Sequence, residues 1–198
     1  MAKTAFHNVA MLTAPGSVMT PRPATERLVD RALELIRPGP AAIADVGTGS
    51  GAIAVTLALL VPDAEIWATD VSAAAAKLAA RNAAFHGVDR RVHVVAGDLL
   101  EPVPVELDLV LANLPYLPSA LRGQPRYADL ELEPSAAIFA PGDGLGPYRR
   151  LLAAARKRLR PDGRILLQYR AGLYEASAAE LDDLAAALGD EAAAANAA

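Results

Sequence analysis

Asp45-Val-Gly-Thr-Gly-Ser-Gly51 decides the fold because of what stands on either side of it. The apolar run at 41–46 reads as a buried strand. Residues 50–60 carry apolar side chains at helical spacing and stop before Pro62. Three glycines at alternate positions allow a tight turn and let a ligand lie against bare backbone. The helix start beneath them offers N–H groups without intrahelical partners. Outward from this segment the alternation repeats. Further strands are predicted at 65–69, ending beside Asp70, and at 91–96, 107–112 and 164–169. Helices are predicted from a Ser72 cap to about 86, over 148–159 before a Pro-Asp-Gly turn at 161–163, and over 173–188. This pattern predicts an α/β fold, a mostly parallel sheet with helices on both faces.

Two stretches break the pattern. Residues 1–24 are rich in Pro, Gly and Thr; 6–12 and 17–20 are predicted to pair as a hairpin ahead of a helix from Thr25. Residues 114–147 hold six prolines and little periodicity. They follow the fourth strand, at the carboxyl edge where open α/β sheets bind ligands, and so are expected to serve the site. The expected organisation is a hairpin-like segment at 1–24, a ligand-binding domain at 25–190 and a disordered alanine-rich tail at 191–198.

Composition narrows the function. The 198 residues include 45 alanines, so larger apolar side chains supply only one modest core. The longest apolar run, 52–61, is half the length of a membrane span, which needs about 20 residues. No secretory signal is visible, and a cytoplasmic location without membrane association is expected. Absent cysteines and three scattered histidines argue against a metal site. A net charge of −4 argues against a dedicated nucleic-acid binder. The basic residues Arg149, Arg150, Arg156, Lys157, Arg158 and Arg160 share one predicted helix and are read as a solvated face.

The acids behind the glycines select the ligand. Asp70 lies 23 residues after Gly47, where a carboxylate accepts hydrogen bonds from two ribose hydroxyls. Ala52 satisfies the dinucleotide spacing, so spacing alone leaves NAD open. Asp45 speaks against it, since a carboxylate there would repel a pyrophosphate. Asp98 adds a third acid suited to an adenine amine. Three acids with no basic residue in these loops favour a cofactor carrying an ammonium and a sulfonium, S-adenosyl-L-methionine.

Asn113-Leu-Pro-Tyr116 ends the fourth strand. A planar amide or aryl amine is a poor nucleophile because its lone pair is delocalised. The Asn113 side-chain oxygen and the Leu114 carbonyl can accept both of its N–H hydrogens and aim that lone pair. Pro115 biases Leu114 toward an extended conformation, and Tyr116 offers a flat face. The succession DVGTGSG, ATD, GDLL, NLPY resembles Rossmann-like class I S-adenosylmethionine-dependent methyltransferases of the amino-group type. Pro21-Arg-Pro-Ala-Thr-Glu26, Glu133-Pro-Ser-Ala-Ala-Ile-Phe and Gly142-Asp-Gly-Leu-Gly-Pro-Tyr-Arg149 are similar to segments of the HemK/PrmC protein-glutamine methyltransferases. Those enzymes modify the Gly-Gly-Gln loop of peptide-chain release factors.

The resemblance implies that Gly47, Thr48, Gly49, Ser50 and Gly51 cradle the methionine part of the cofactor, with Asp45 near its charged groups. It implies that Asp70 holds the ribose and that Asp98 and Leu99 flank the adenine. Asn113, Leu114, Pro115 and Tyr116 would hold the substrate amide, with Asn113 also near the cofactor. The implied partner is a protein, a release factor. Three departures stand against this pattern: leucine at 114 where the family has proline, no N-terminal helical docking domain, and an expected sheet lacking the last two strands, with 164–169 left as an edge. Exocyclic amines of adenine or guanine in RNA or DNA are the alternative substrate. A non-catalytic cofactor-binding protein is the third reading.

Overall fold

The computed structural model describes residues 2–170 and 172–197. In chain order its elements are β1 (Ala2–Phe6), β2 (Val9–Thr13), α1 (Pro23–Leu35), β3 (Ala41–Val46), α2 (Ala52–Leu60), β4 (Ala64–Asp70), α3 (Ala73–Phe85) and β5 (Val92–Ala96). They continue as β6 (Leu107–Ala112), β7 (Leu117–Pro118), α4 (Ser135–Ile138), β8 (Phe139–Ala140), α5 (Gly146–Ala155), β9 (Leu159–Tyr169), β10 (Gly172–Ser177) and α6 (Leu181–Ala197). Six strands form the central sheet in the order β10-β9-β6-β3-β4-β5, all parallel except β10. The chain leaves β3 toward β4 and β5, then crosses back to β6 on the other side of β3. That reversal opens a crevice at the carboxyl ends of β3 and β6, the place where such sheets bind ligands.

Alternation along each strand builds two cores. Val46, Val110, Ala112, Ile165 and Leu167 face α5 and α6. Ile43, Leu109, Leu111 and Leu166 face α1 and α2. Being covered on both faces is why these strands read as nearly continuous apolar runs. Ser72 caps α3 by accepting from Ala75 N, as its position predicts.

Four expectations need correction. The N-terminal hairpin exists, but it pairs β1 with β2, not 6–12 with 17–20. His7 and Asn8 both take left-handed backbone conformations, φ 48° and 61°, which makes the two-residue turn that matches strand twist. Pro161-Asp-Gly163 does not close a helix; it lies in a bulge of β9. Leu107 pairs with Leu159 and Leu109 with Arg164, leaving 160–163 looped out. The strand at 164–169 is no edge. Residues 172–177, most of them expected in the last helix at 173–188, form β10 and cover it, with Gly172 opposite Tyr169. An apolar pattern of mixed spacing yields here to backbone pairing with an otherwise open strand. The tail from Glu191 continues α6 through Ala197, as alanine's helix propensity favours, and Ala192 is buried against the core.

The N-terminal segment is fastened to the sheet domain by buried polar contacts. Asn82 of α3, with 0% of its surface exposed, accepts from Leu12 N at 2.8 Å. It donates to Leu12 O at 3.0 Å and to Ser50 O at 2.8 Å. His7 N donates to Glu26 of α1 at 2.9 Å. Asn82→Ala would leave several buried backbone groups unpaired and should lower stability by about 2–4 kcal/mol, read as a lower urea midpoint at unchanged slope. A change below about 0.5 kcal/mol, the size of an ordinary surface substitution, would show that the segment is only loosely attached.

Candidate functional site

The glycine segment is shaped by the strand beside it. Gly47 N and Thr48 N both donate to Thr69 O of β4, at 2.8 and 2.9 Å. Gly47, Gly49 and Gly51 all have positive φ, at 72°, 57° and 79°. Two of them are also hemmed in. A Cβ on Gly47 would come within 2.7 Å of the Leu114 side chain, and one on Gly51 within 3.0 Å of Ala79 Cα. A Cβ on Gly49 would point into open space, the face left for a ligand. Leu99, a bulky residue at φ 47°, carries backbone strain of the kind that gathers at functional sites. Its carbonyl accepts from Thr69 Oγ1 at 2.7 Å.

A cavity of about 260 Å³ lies over these loops, and Gly47 to Ser50, Asp70, Asp98, Leu99, Asn113, Leu114 and Pro115 line it. Three predicted site residues stand apart from the lining: Gly51, which packs against Ala79 of α3, Asp45 and Tyr116. Asp45 is fully buried beneath the loop, its Oδ2 accepting from Thr48 Oγ1 at 2.6 Å and Ala54 N at 3.2 Å. Its Oδ1 is buried without a partner among the described residues. Burial pushes this carboxyl up to about 6. The hydrogen bonds from Thr48 and Ala54 pull against the rise, and the charge of Asp70 adds to it. Tyr116 turns its ring edge-on to Tyr169 at 5.5 Å instead of facing the cavity.

Asp70 uses both oxygens to hold the loop, accepting from Gly49 N and Ser72 N, each at 2.9 Å. Each oxygen keeps a lone pair for further donors, so its loop-tying role and a diol-binding role are compatible. The expectation of three acids without basic company does not hold. Arg150 of α5 reaches Asp98 at 2.5 Å and also lines the cavity, as does Arg22. These cations come from elements remote in sequence, which inspection of the loops alone could not reveal. The basic cluster does not share one helix, since α5 ends at Ala155, Arg156 to Arg158 follow it and Arg160 sits in β9; Arg149 pairs with Asp143, Arg156 with Asp182 and Arg160 with Asp108.

The three segments flanking the glycine loop and the box converge on Asn113-Leu-Pro-Tyr116. Thr25, from the first segment, accepts a hydrogen bond from Asn113 Nδ2 at 3.1 Å, which leaves Asn113 Oδ1 as the free acceptor. Glu133, from the second, accepts from Thr20 N at 3.1 Å and stands 3.7 Å from Arg22. From the third, Tyr148 places its hydroxyl on the Leu114 backbone. Gly144 packs so closely on the Tyr116 carbonyl that a Cβ would approach to 2.1 Å. Thr25, Tyr148, Arg150 and Asn82 are site or site-supporting residues whose roles the sequence does not declare. Thr25 and Tyr148 lie in segments that the family resemblance singles out, and that was the available signal.

Residues 24–121 match the family described as Methyltransferase small domain. The 16S rRNA N2 G1207 methyltransferase of Thermus thermophilus superposes with a TM-score of 0.60 at 18% identity, over 84% of this chain and 40% of that one. The ribosomal protein L11 methylase of Lactobacillus delbrueckii subsp. bulgaricus superposes at 0.55 and 22% identity, over 87% and 70%. The chain thus resembles methyltransferases in sequence over 24–121 and in the fold of its sheet domain. It is 43% identical over 176 residues to the release factor glutamine methyltransferase of Moorella thermoacetica, and 39% over 171 to that of Gloeobacter violaceus. The matches cover 87% and 85% of this chain, which spans about 60% of the length of both relatives. The HemK/PrmC resemblance is thereby borne out. Among the described residues, no helix is long and apolar enough to cross a membrane, and no His, Cys, Asp or Glu cluster could hold a metal ion.

The raised Asp45 carboxyl makes a pH-dependent stability prediction. Its folded state holds the proton more tightly than the unfolded chain, so this contribution is full below about pH 4 and is lost as pH rises through about 6. At pH 7 the buried charge costs up to about 3 kcal/mol, at 1.36 kcal/mol per pKa unit. Asp45→Asn should therefore gain stability relative to the unsubstituted chain between pH 4 and pH 7 in urea unfolding. Parallel pH profiles for the two proteins would show that Asp45 titrates like an exposed carboxylate.

Proposed function

We propose that this methyltransferase uses S-adenosyl-L-methionine to methylate the side-chain amide of a protein glutamine, the Gly-Gly-Gln glutamine of a peptide-chain release factor. The carrying observation is the hydrogen bond from Asn113 Nδ2 to Thr25, which commits the Asn113 amide to presenting its oxygen. The name shared by the curated relatives supports the release-factor substrate. Inside the segment 114–147, two arginines stand among four acidic residues, which disfavours an RNA phosphate backbone as the docking partner.

The residues present suit the cofactor. The open face of Gly49, the backbone N–H groups of the turn and the lone pairs of Asp70 would hold its methionine and ribose parts. Asp98 and Leu99 would border its adenine, with Asp45 supporting the turn from beneath. When bound, the cofactor supplies a methyl group on a positively charged sulfur that departs as a neutral thioether. The chain's own part is orientation. Asn113 Oδ1 and the Leu114 carbonyl accept the two amide hydrogens, and Pro115 closes the apolar wall. Tyr116 braces the box through Tyr169. As the N–C bond forms, the nitrogen becomes strongly acidic and releases its extra proton to water, so no side-chain base is needed.

Single-turnover methylation of a Gly-Gly-Gln release factor tests this reading. Asn113→Ala should lower transfer by about a hundredfold or more, the range seen when one orienting polar group is lost, while S-adenosylhomocysteine affinity stays nearly unchanged. Asn113→Asp keeps an acceptor and should retain part of the activity. Transfer by Asn113→Ala at the unsubstituted rate would reduce the box to a turn.

A further inference from the structure

Leucine at 114 has a structural consequence. Unlike proline it carries a backbone N–H, and that N–H donates to the hydroxyl of Tyr148 at 3.1 Å. The same hydroxyl lies 2.6 Å from the Gln168 carbonyl at the end of β9 and 3.0 Å from the Leu114 carbonyl. Tyr148 has 0% of its surface exposed, and its ring meets Tyr169 edge-on at 5.7 Å, so the hydroxyl is held in place. Burial drives its ionisation well above the usual phenol range, which keeps the proton on the oxygen. A phenol has one hydrogen to give. The shorter contact assigns it to Gln168, leaving the Leu114 carbonyl free to accept from a substrate. The Leu114 side chain meanwhile lies over Gly47, which couples the box to the glycine turn.

We propose that Tyr148 is a positioning residue, its hydroxyl accepting from the Leu114 N–H and pinning the Asn113–Leu114 peptide, which limits rotation about the Leu114 backbone and keeps its carbonyl aimed, in the place of the φ restraint a proline ring would give that position. The inference rests on the glutamine reading above. The clamp is a three-way junction: Leu114 follows the end of β6, β9 ends beside Gln168, and α5 carries Tyr148. A carbonyl on a freely rotating peptide would lose alignment, and small misplacements of an orienting group cost large factors in rate. If the clamp substitutes for a proline ring, restoring proline should make the hydroxyl nearly redundant.

A double-mutant cycle with Tyr148→Phe and Leu114→Pro tests this, alongside the hydrogen-exchange rate of the Leu114 amide measured by NMR. In the Leu114 background, Tyr148→Phe should slow single-turnover methylation about tenfold, a fraction of the loss expected from a misplaced reacting geometry. Leu114 amide exchange should rise at least about tenfold through loss of its acceptor, with S-adenosylhomocysteine affinity held within about twofold. In the Leu114→Pro background, whatever that variant's own rate, adding Tyr148→Phe should change transfer by less than about twofold. Equal losses in both backgrounds would overturn the proposal. So would an unchanged rate on Tyr148→Phe, or a parallel loss of cofactor affinity, which marks general loosening. If Tyr148→Phe does not fold, the unsubstituted protein still decides: a Leu114 amide exchanging as fast as an open loop amide refutes the clamp. Failure of the unsubstituted protein to methylate glutamine would sink the substrate reading and leave the exchange measurement to judge the clamp.

Discussion

A carboxamide nitrogen attacks a methyl group only where both of its hydrogens are held and its lone pair is turned out of conjugation. That requirement calls for two acceptors at a set spacing, and the proposed function places them side by side in sequence, at Asn113 Oδ1 and the Leu114 carbonyl. Neither can be aimed by β6 alone, because Leu107–Ala112 ends just before them. The N–H groups beside them are instead held by hydroxyls brought from far along the chain. Thr25 fixes the Asn113 amide from α1, and Tyr148 reaches Leu114 from α5. The N-terminal hairpin, the glycine turn and the proline-rich loop can all be understood as support for this junction.

The cofactor side follows the same logic at higher cost. Asp45 is buried with one oxygen unpartnered, a combination that destabilises a charged carboxylate. Leu99 is held in a conformation that L residues avoid. Both lie at the carboxyl ends of parallel strands, where the sheet's remaining apolar burial can absorb such strain. Asp70 shows how economical the turn is, since one carboxylate orders Gly49 and Ser72 and keeps lone pairs for a ligand.

Much of this was legible from residue pattern. β3 and β6 fall where apolar runs end in Gly47 and Asn113, because a strand buried on both faces must be apolar throughout. The cap at Ser72 and the acid at Asp70 follow from local chemistry alone. What escaped depends on partners distant in sequence. Nothing local marks 172–177 as a strand; its identity comes from the unpaired edge of β9. His7-Asn8 turns a hairpin without glycine, the residue most associated with such turns. Arg150 neutralises Asp98 across 52 residues, so the acid balance of the loops misled. Asn82, in the middle of an ordinary alanine-rich helix, carries no sequence signal of the three hydrogen bonds it makes.

The proposal that the acceptor pair beyond β6 serves a glutamine amide is open to direct test. Its most direct measurement is mass-spectrometric location of a labelled methyl group after incubation with an intact release factor and ribosomal RNA in the same tube. Label is expected on the amide nitrogen of the Gly-Gly-Gln glutamine, with none on RNA and none on a release factor whose glutamine is replaced by glutamate. Label recovered on an RNA base amine, with the release factor unmodified, would contradict it.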